Sequence, residues 1–465
     1  MADPFALLPL ALAAHGGRID DHPAEQLVAA GITLLQRSAA LVRALSGRRS
    51  AVLLPTSPQF LVALAASEGR GAVLINPLAA PPEIAHQLAD ANVGAVFTTR
   101  ALARHLPDGV VHALLDDAPR TARVVAGDST RDIDLGSHFG LSVEGDADAP
   151  GSDEEAVVVY TSAMAGKPLG AILTHRNLLA NARSTVVAAR QTRDDRVLAL
   201  LPFAHLFGLS VTASAPLLAG SRVITMPRFN PARAVELIAS GDVTEVVGVP
   251  AIFRGLLTAI ERRDAPAMTA GALRLAICGG SPLSIELQER WFDATGVELR
   301  QGYGLTEAGP VCLFNRVDRE NVRGTLGSPF PGVDVRLGER QEILVRGENV
   351  FRGYVSGGDA GLRVHDGWLH TGDRGRPGPD DTVAFDGVLK PMFTHNGFNI
   401  YPRELEAAIA ELDGVERVTV REDAAPEGES EIVVSYRGTP SVDDVRAWCA
   451  ARLSAYKQPS AIERE

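Results

Sequence analysis

Cysteine is scarce: only Cys278, Cys312 and Cys449 occur in 465 residues. The number is odd, the three are far apart, and no two have metal-ligand spacing. That argues against a disulfide framework and a cysteine-held metal, and it leads us to expect a reduced, cytoplasmic protein. Basic charge is also short, with 45 Lys and Arg against 57 Asp and Glu and a net charge of -12. Phosphate backbones attract basic faces, so no nucleic-acid partner is expected, whereas a nucleotide needs only a local site. Long hydrophobic runs are missing too. The apolar stretch 5–14 has no basic segment before it and is too short to span a bilayer, as is every later run. It reads as an amphipathic or buried first helix, and no transmembrane segment is expected.

What is present is an alternation of short apolar runs with helix-like spacing. Residues 51–55, 71–75 and 94–98 read as buried strands, and 58–68 and 82–92 read as the helices between them. The rhythm continues through 245–249, 251–261 and 273–278. It implies an α/β fold of parallel sheets layered with helices. A different regime starts late, with strands at 342–346 and 383–385. A turn near Val388, a helix from Pro402 and an alternating strand at 431–436 follow. Length and turn chemistry divide the chain into 1–387 and a small α+β unit, 388–465.

Four segments can carry chemistry. After the apolar strand 156–160 comes Thr161-Ser162-Ala163-Met164-Ala165-Gly166-Lys167. Its hydroxyls and backbone N–H groups can wrap a phosphate, and Lys167 can offset phosphate charge; taken alone, it reads more readily as an ordinary surface turn. In Gly302-Tyr303-Gly304-Leu305-Thr306-Glu307 the glycines admit a flat ligand and Tyr303 offers it a face. Thr306 can donate to phosphate and Glu307 can hold a divalent cation; a polar loop after a strand at 297–300 is the plain alternative. In His370-Thr371-Gly372-Asp373 a carboxylate can accept from two ribose hydroxyls, or the segment is simply a β-turn. His205, among Phe203, Ala204 and Phe207, is either a core histidine or one facing a carboxylate at the mouth of an apolar channel. Gly279-Gly280-Ser281 follows a strand, at the end where ligands of α/β sheets bind.

In order and spacing these motifs resemble the adenylate-forming superfamily of acyl-CoA synthetases, firefly luciferase and peptide-synthetase adenylation domains. The resemblance runs from the first helix to Pro459 and includes Arg346-Gly347, Gly353-Tyr354 and Gly397 to Glu406. It implies a large N-terminal domain with a small mobile lid. It also implies ATP, magnesium and coenzyme A, and a reaction in two halves. The carboxylate attacks the α-phosphorus of ATP to give acyl-AMP and pyrophosphate, and a thiol of coenzyme A or an acyl carrier protein then takes the acyl group. Carried over, Tyr303 and Gly304 would face adenine, which Gly279, Gly280 and Ser281 would line. Asp373 would hold ribose. Thr161, Ser162, Gly166 and Thr306 would touch phosphate, with Lys167 beside them. Glu307 would bind magnesium. His205, with Phe203, Phe207 and Gly302, would meet the acid, and Gly397 and Phe398 would serve the thiol step. The apolar residues around His205 favour a fatty or aryl acid over an amino acid.

The chain departs from the family pattern at several points. Ala163-Met164-Ala165 replaces hydroxyls and a glycine, Leu169 stands where the pattern has lysine, and Val388 and Pro391 replace an arginine and a hinge acid. The catalytic lysine that follows Tyr456-Lys457-Gln458-Pro459 in the family is not reached by Glu465. These departures predict that adenylation is the slower half. They leave open a catalytically impaired relative that binds an acyl or adenylate ligand or a protein.

Overall fold

The computed structural model describes residues 7–67, 71–136, 151–161, 168–262, 271–355, 364–389, 392–395, 398–424 and 430–465. Among these, two nine-stranded sheets form the body. The inner strands of the first, Arg196–Ala199, Arg222–Thr225, Glu245–Gly248, Leu275–Cys278 and Leu299–Gly304, run parallel. The second has Arg49–Leu53, Ala72–Leu74, Val93–Thr98, Val111–Leu114 and Glu155–Thr161 in parallel, with antiparallel strands at both edges. Most inner strands are largely apolar because both of their faces are covered; Leu299–Gly304, which reaches the cavity, is the polar exception. The expected strands and crossover helices fall where the alternation put them: Gln59–Ala66, Pro81–Asp90 and Pro250–Glu261 are helices. The first helix, Leu8–Ala13, is buried.

A third sheet of five strands carries Glu342–Gly347 and Trp368–Pro377 side by side. The expected turn at 370–373 lies inside Trp368–Pro377. Leu344 pairs with His370 and Glu342 with Arg374, so residues 371–373 oppose Ile343 alone. The surplus bulges out, with Gly372 at φ +72°, and takes Asp373 out of register with Glu342–Gly347 while its other edge still pairs with Val388. The last strand of this sheet, Val383–Val388, leads to a segment with its own apolar core: Phe393, Ile400, Leu405, Ile409, Val434, Tyr436 and Val445. There the helices Pro402–Ala410 and Val442–Arg452 cover Val415–Ala424, Ser430–Gly438 and Ala461–Arg464.

Among the described residues no single helix is long and apolar enough to cross a membrane. Ala24–Arg37 and Ala39–Leu45 reach that length and composition only together, and they are bent by 88° at Ser38.

Candidate active site

The C-terminal ends of the parallel strands in both sheets converge on one cavity of about 510 Å³. From the first sheet come Leu200 to Pro202, Val249 and Gly279 to Pro282; from the second come Leu74, Asn76, Val159 and Thr161. Strand C-terminal ends leave room that the helices do not fill, which is why α/β ligands collect there.

The cavity brings together most of the residues expected from sequence. Gly302 and Gly304 lie in the strand Leu299–Gly304, which pairs on its outer side with Val311–Phe314, so this stretch is strand rather than loop. A side chain at Gly304 would sit 1.9 Å from the Pro310 carbonyl oxygen. One at Gly279 would sit 3.0 Å from the Gly302 carbonyl oxygen and 3.1 Å from the Phe207 ring. Glycine at both positions lets neighbouring backbone pack directly against these strand ends where they border the cavity. Tyr303 and Asp373, 70 residues apart, meet here: the phenol donates to Asp373 Oδ2 at 2.7 Å. Burial and the neighbouring carboxylate push the Tyr303 hydroxyl well above its ordinary pKa, so it stays a donor.

Glu307 is buried in the turn Thr306–Ala308. Tyr354, on the edge strand Gly353–Tyr354, donates its hydroxyl to Glu307 Oε1 at 2.6 Å. The Asn349 amide fixes the Ala308 carbonyl at 2.7 Å. No cluster of three His, Cys, Asp or Glu exists among the described residues, so there is no all-protein metal cage. A single anchored carboxylate suits magnesium, which keeps waters and takes phosphate oxygens for the rest of its shell.

His205 lines the cavity and keeps part of its surface exposed there, with protein packed densely around it. Desolvation by the surrounding protein lowers its pKa below the usual histidine value. The Phe207 N–H donates to Nδ1 at 3.2 Å, so the neutral ring carries its proton on Nε2. It is therefore a hydrogen-bond donor without charge. Phe207 opens the segment Phe207–Ser214, which is wound as a π-helix, a form common at functional sites.

Phe203 does not belong with them. It is 1% exposed, and its ring packs edge-on against Phe60 at 5.6 Å, inside the core. Proximity to His205 in sequence was misleading, because the chain turns between the two. Thr161 lines the cavity at the end of its strand, and its hydroxyl reaches the Leu169 carbonyl at 3.4 Å across the hairpin. Ser162, Gly166 and Lys167 lie outside the described residues, as do Pro391 and Gly397. Phe398 is described only as backbone of the strand Phe398–Ile400.

The cavity also gathers Glu83 and Gln87, which sequence reading missed, and Tyr401 and Tyr456, which lie in lid motifs but were given no role there, with Lys457 the sole Lys or Arg among its described lining residues. Lys457 is 5% exposed and sits between Glu83 Oε1 at 2.9 Å and Glu404 Oε1 at 2.5 Å. The Tyr-Lys-x-Pro motif flagged it, but its partner Glu83, 374 residues away, left no local signal.

The family model of AMP-binding enzymes matches residues 35–355. The feruloyl-CoA synthases of Amycolatopsis sp and Streptomyces sp are 32% identical over 436 residues, covering 90% of this chain and 84% of theirs. A malonyl-CoA ligase in ternary product complex with methylmalonyl-CoA and AMP superposes with a TM-score of 0.80 at 25% identity, over 99% of this chain and 98% of that one. The ATP-bound MatB of Rhodopseudomonas palustris superposes at 0.68, also at 25% identity, over 99% of this chain and 95% of that one. With the motifs converging on one cavity and two thirds of its length matched, this chain belongs to the AMP-binding enzyme family.

Proposed function

We propose that the chain is an ATP-dependent acid–thiol ligase, which activates a fatty or aryl carboxylic acid as acyl-AMP and passes the acyl group to coenzyme A. The carrying observation is that one cavity holds a nucleoside-type site, Tyr303 with Asp373, beside His205 and the buried carboxylate Glu307. The acid-facing walls are apolar: Ala188, Val211, Ile277, Phe314, Leu326 and Phe330 line the same space. Relatives named feruloyl-CoA synthase support the aryl branch of this reading.

In the first half, adenine enters the cavity beside Gly279, Gly302 and Gly304, and Asp373 accepts from the ribose hydroxyls. His205 Nε2–H donates to the acid and turns one carboxylate oxygen toward the α-phosphorus. Keeping His205 neutral matters, since a cation there would hold the nucleophile back. Thr306 donates toward phosphate. Glu307 would hold magnesium, which when bound would neutralise charge on the phosphates; the protein otherwise contributes mainly position. In the second half a thiol attacks the acyl carbon and AMP leaves, with His205 and Asp373 still holding the two ends.

We place the lid at 388–465; the separate core around Ile400 and Tyr436 supports that division. A carrier-protein thiol would present the same pantetheine end as coenzyme A, and we include it as an alternative acceptor. The test is thioester formation from ATP with matched panels of straight-chain and aryl acids, using coenzyme A and a carrier protein in parallel. Product with neither class of acid would overturn the substrate reading only if amino acids or small diacids were used instead.

A further inference from the structure

We propose that Glu83 is a positioning residue for the lid: its carboxylate latches the lid in the pose that serves thioester formation, and it must let go for the ATP-cleaving half. The inference rests on the two-step ligase reading above.

Glu83 sits on the body, in the first turn of the helix Pro81–Asp90. One of its oxygens, Oε2, accepts from the Ala80 N–H at 2.9 Å, which caps the helix and fixes the side chain. The same oxygen receives the hydroxyl of Ser454, and Oε1 receives Lys457 Nζ. Ser454 and Lys457 both belong to the lid, and neither is more than marginally exposed. Lys457 in turn holds Glu404, at the start of the lid's first helix, where the second oxygen Oε2 is buried with no hydrogen-bond partner among the described residues. The cluster is therefore two carboxylates to one ammonium. Removing the body's carboxylate takes away both lid contacts at once and leaves Lys457 paired within the lid alone.

The pose this latch holds is a particular one. By overall superposition the chain lies nearer to the coenzyme A product complex, TM-score 0.80, than to MatB, which scores 0.68 with ATP and 0.66 without ligand, and the latched pose is assigned to the product side on that ordering. Lys457, within the latch, and its neighbour Tyr456 line the cavity. A contact at the cavity wall that joins one body carboxylate to Ser454 and Lys457, and through Lys457 to Glu404, is a discrete, breakable element of the kind that two-state motions use.

Glu83→Gln is the informative change: its carbonyl can keep the Ala80 N–H and the Ser454 hydroxyl, while its amide nitrogen faces Lys457 Nζ and cannot accept from it, so the ion pair to the lid is lost. Ser454→Ala is the milder second variant. Single-turnover rates are measured for acyl-AMP formation from ATP and for thioester formation from supplied acyl-adenylate. Glu83→Gln is expected to lower the thioester rate about tenfold relative to the adenylation rate, with Ser454→Ala shifting the ratio in the same direction. Equal loss in both halves, or an unchanged ratio, would overturn the latch. Lid position is read separately from spin labels at exposed Val187 and Arg446; the three native cysteines are all buried. Glu83→Gln is expected to add a second distance population, and an unchanged distribution would refute the proposal. If no acid turns over in the unmutated protein, the ligase reading fails while the distance measurement still decides the latch.

Discussion

Replacing Asp373 with alanine removes the carboxylate assigned to ribose and leaves the cavity glycines untouched. Its surroundings set the magnitude. Asp373 stands on the three-residue bulge opposite Ile343 and takes the Tyr303 hydroxyl at 2.7 Å. Two ribose hydroxyls donating to a charged acceptor would each be worth about 1.5–3 kcal/mol. Part of that is offset, because binding competes with Tyr303 for one oxygen. A net loss of about 3 kcal/mol, roughly 150-fold in Kd, is expected for a non-hydrolysable acyl-adenylate mimic. Calorimetric titration measures it, and circular dichroism checks that the fold persists. Tyr303→Phe is the companion: it keeps the ring but frees the carboxylate to turn, and should weaken binding about tenfold. Affinity within threefold of the unmutated protein for Asp373→Ala would remove Asp373 from the nucleotide site.

Glu307→Gln should abolish magnesium-dependent pyrophosphate release while Tyr354 keeps a hydrogen-bond acceptor; a variant that turns over normally would show that the metal binds elsewhere. Phe203→Ala should destabilise the protein by about 3–5 kcal/mol and leave acid preference unchanged, because the ring fills core beside Phe60; a changed acid profile with an unchanged melting midpoint would return it to the channel wall. Glu245 is fully buried between Arg274 and Gln191, and burial pushes its carboxyl up to about 7 despite the arginine. A raised folded-state pKa favours the folded chain below the ordinary carboxylate range, and that contribution is lost as pH rises through about 7. Glu245→Gln should therefore gain on the unmutated protein between pH 5 and 8, by up to about 3 kcal/mol, and the buried Gln191 Oε1 can turn to accept its new amide; parallel melting curves across that range would contradict this.

The body was legible because its strands are buried on both faces and therefore read as apolar runs. Arg49–Leu53, Glu245–Gly248 and Leu275–Cys278 are such cases. Strand order was not, since parallel neighbours such as Ala72–Leu74 and Glu155–Thr161 are joined by tertiary contacts alone. Gly302 and Gly304 argued for a loop, but partners on both sides hold that stretch extended. Asp373 read as a turn residue because a bulge uses turn chemistry inside a strand. The residues around His205 showed an apolar environment without showing which of them faces the ligand, so Phe207 and Phe203 looked alike. Glu83 was invisible, since its role depends on Ser454 and Lys457 arriving from the far end of the chain.

The most direct test of the central claim is pyrophosphate release in a single turnover with ATP, magnesium and an acid, followed by addition of coenzyme A. The account predicts one burst of pyrophosphate that depends on the acid, then conversion of the bound acyl-AMP to thioester with release of AMP. Thioester without pyrophosphate, or pyrophosphate release that proceeds equally without acid, would contradict it.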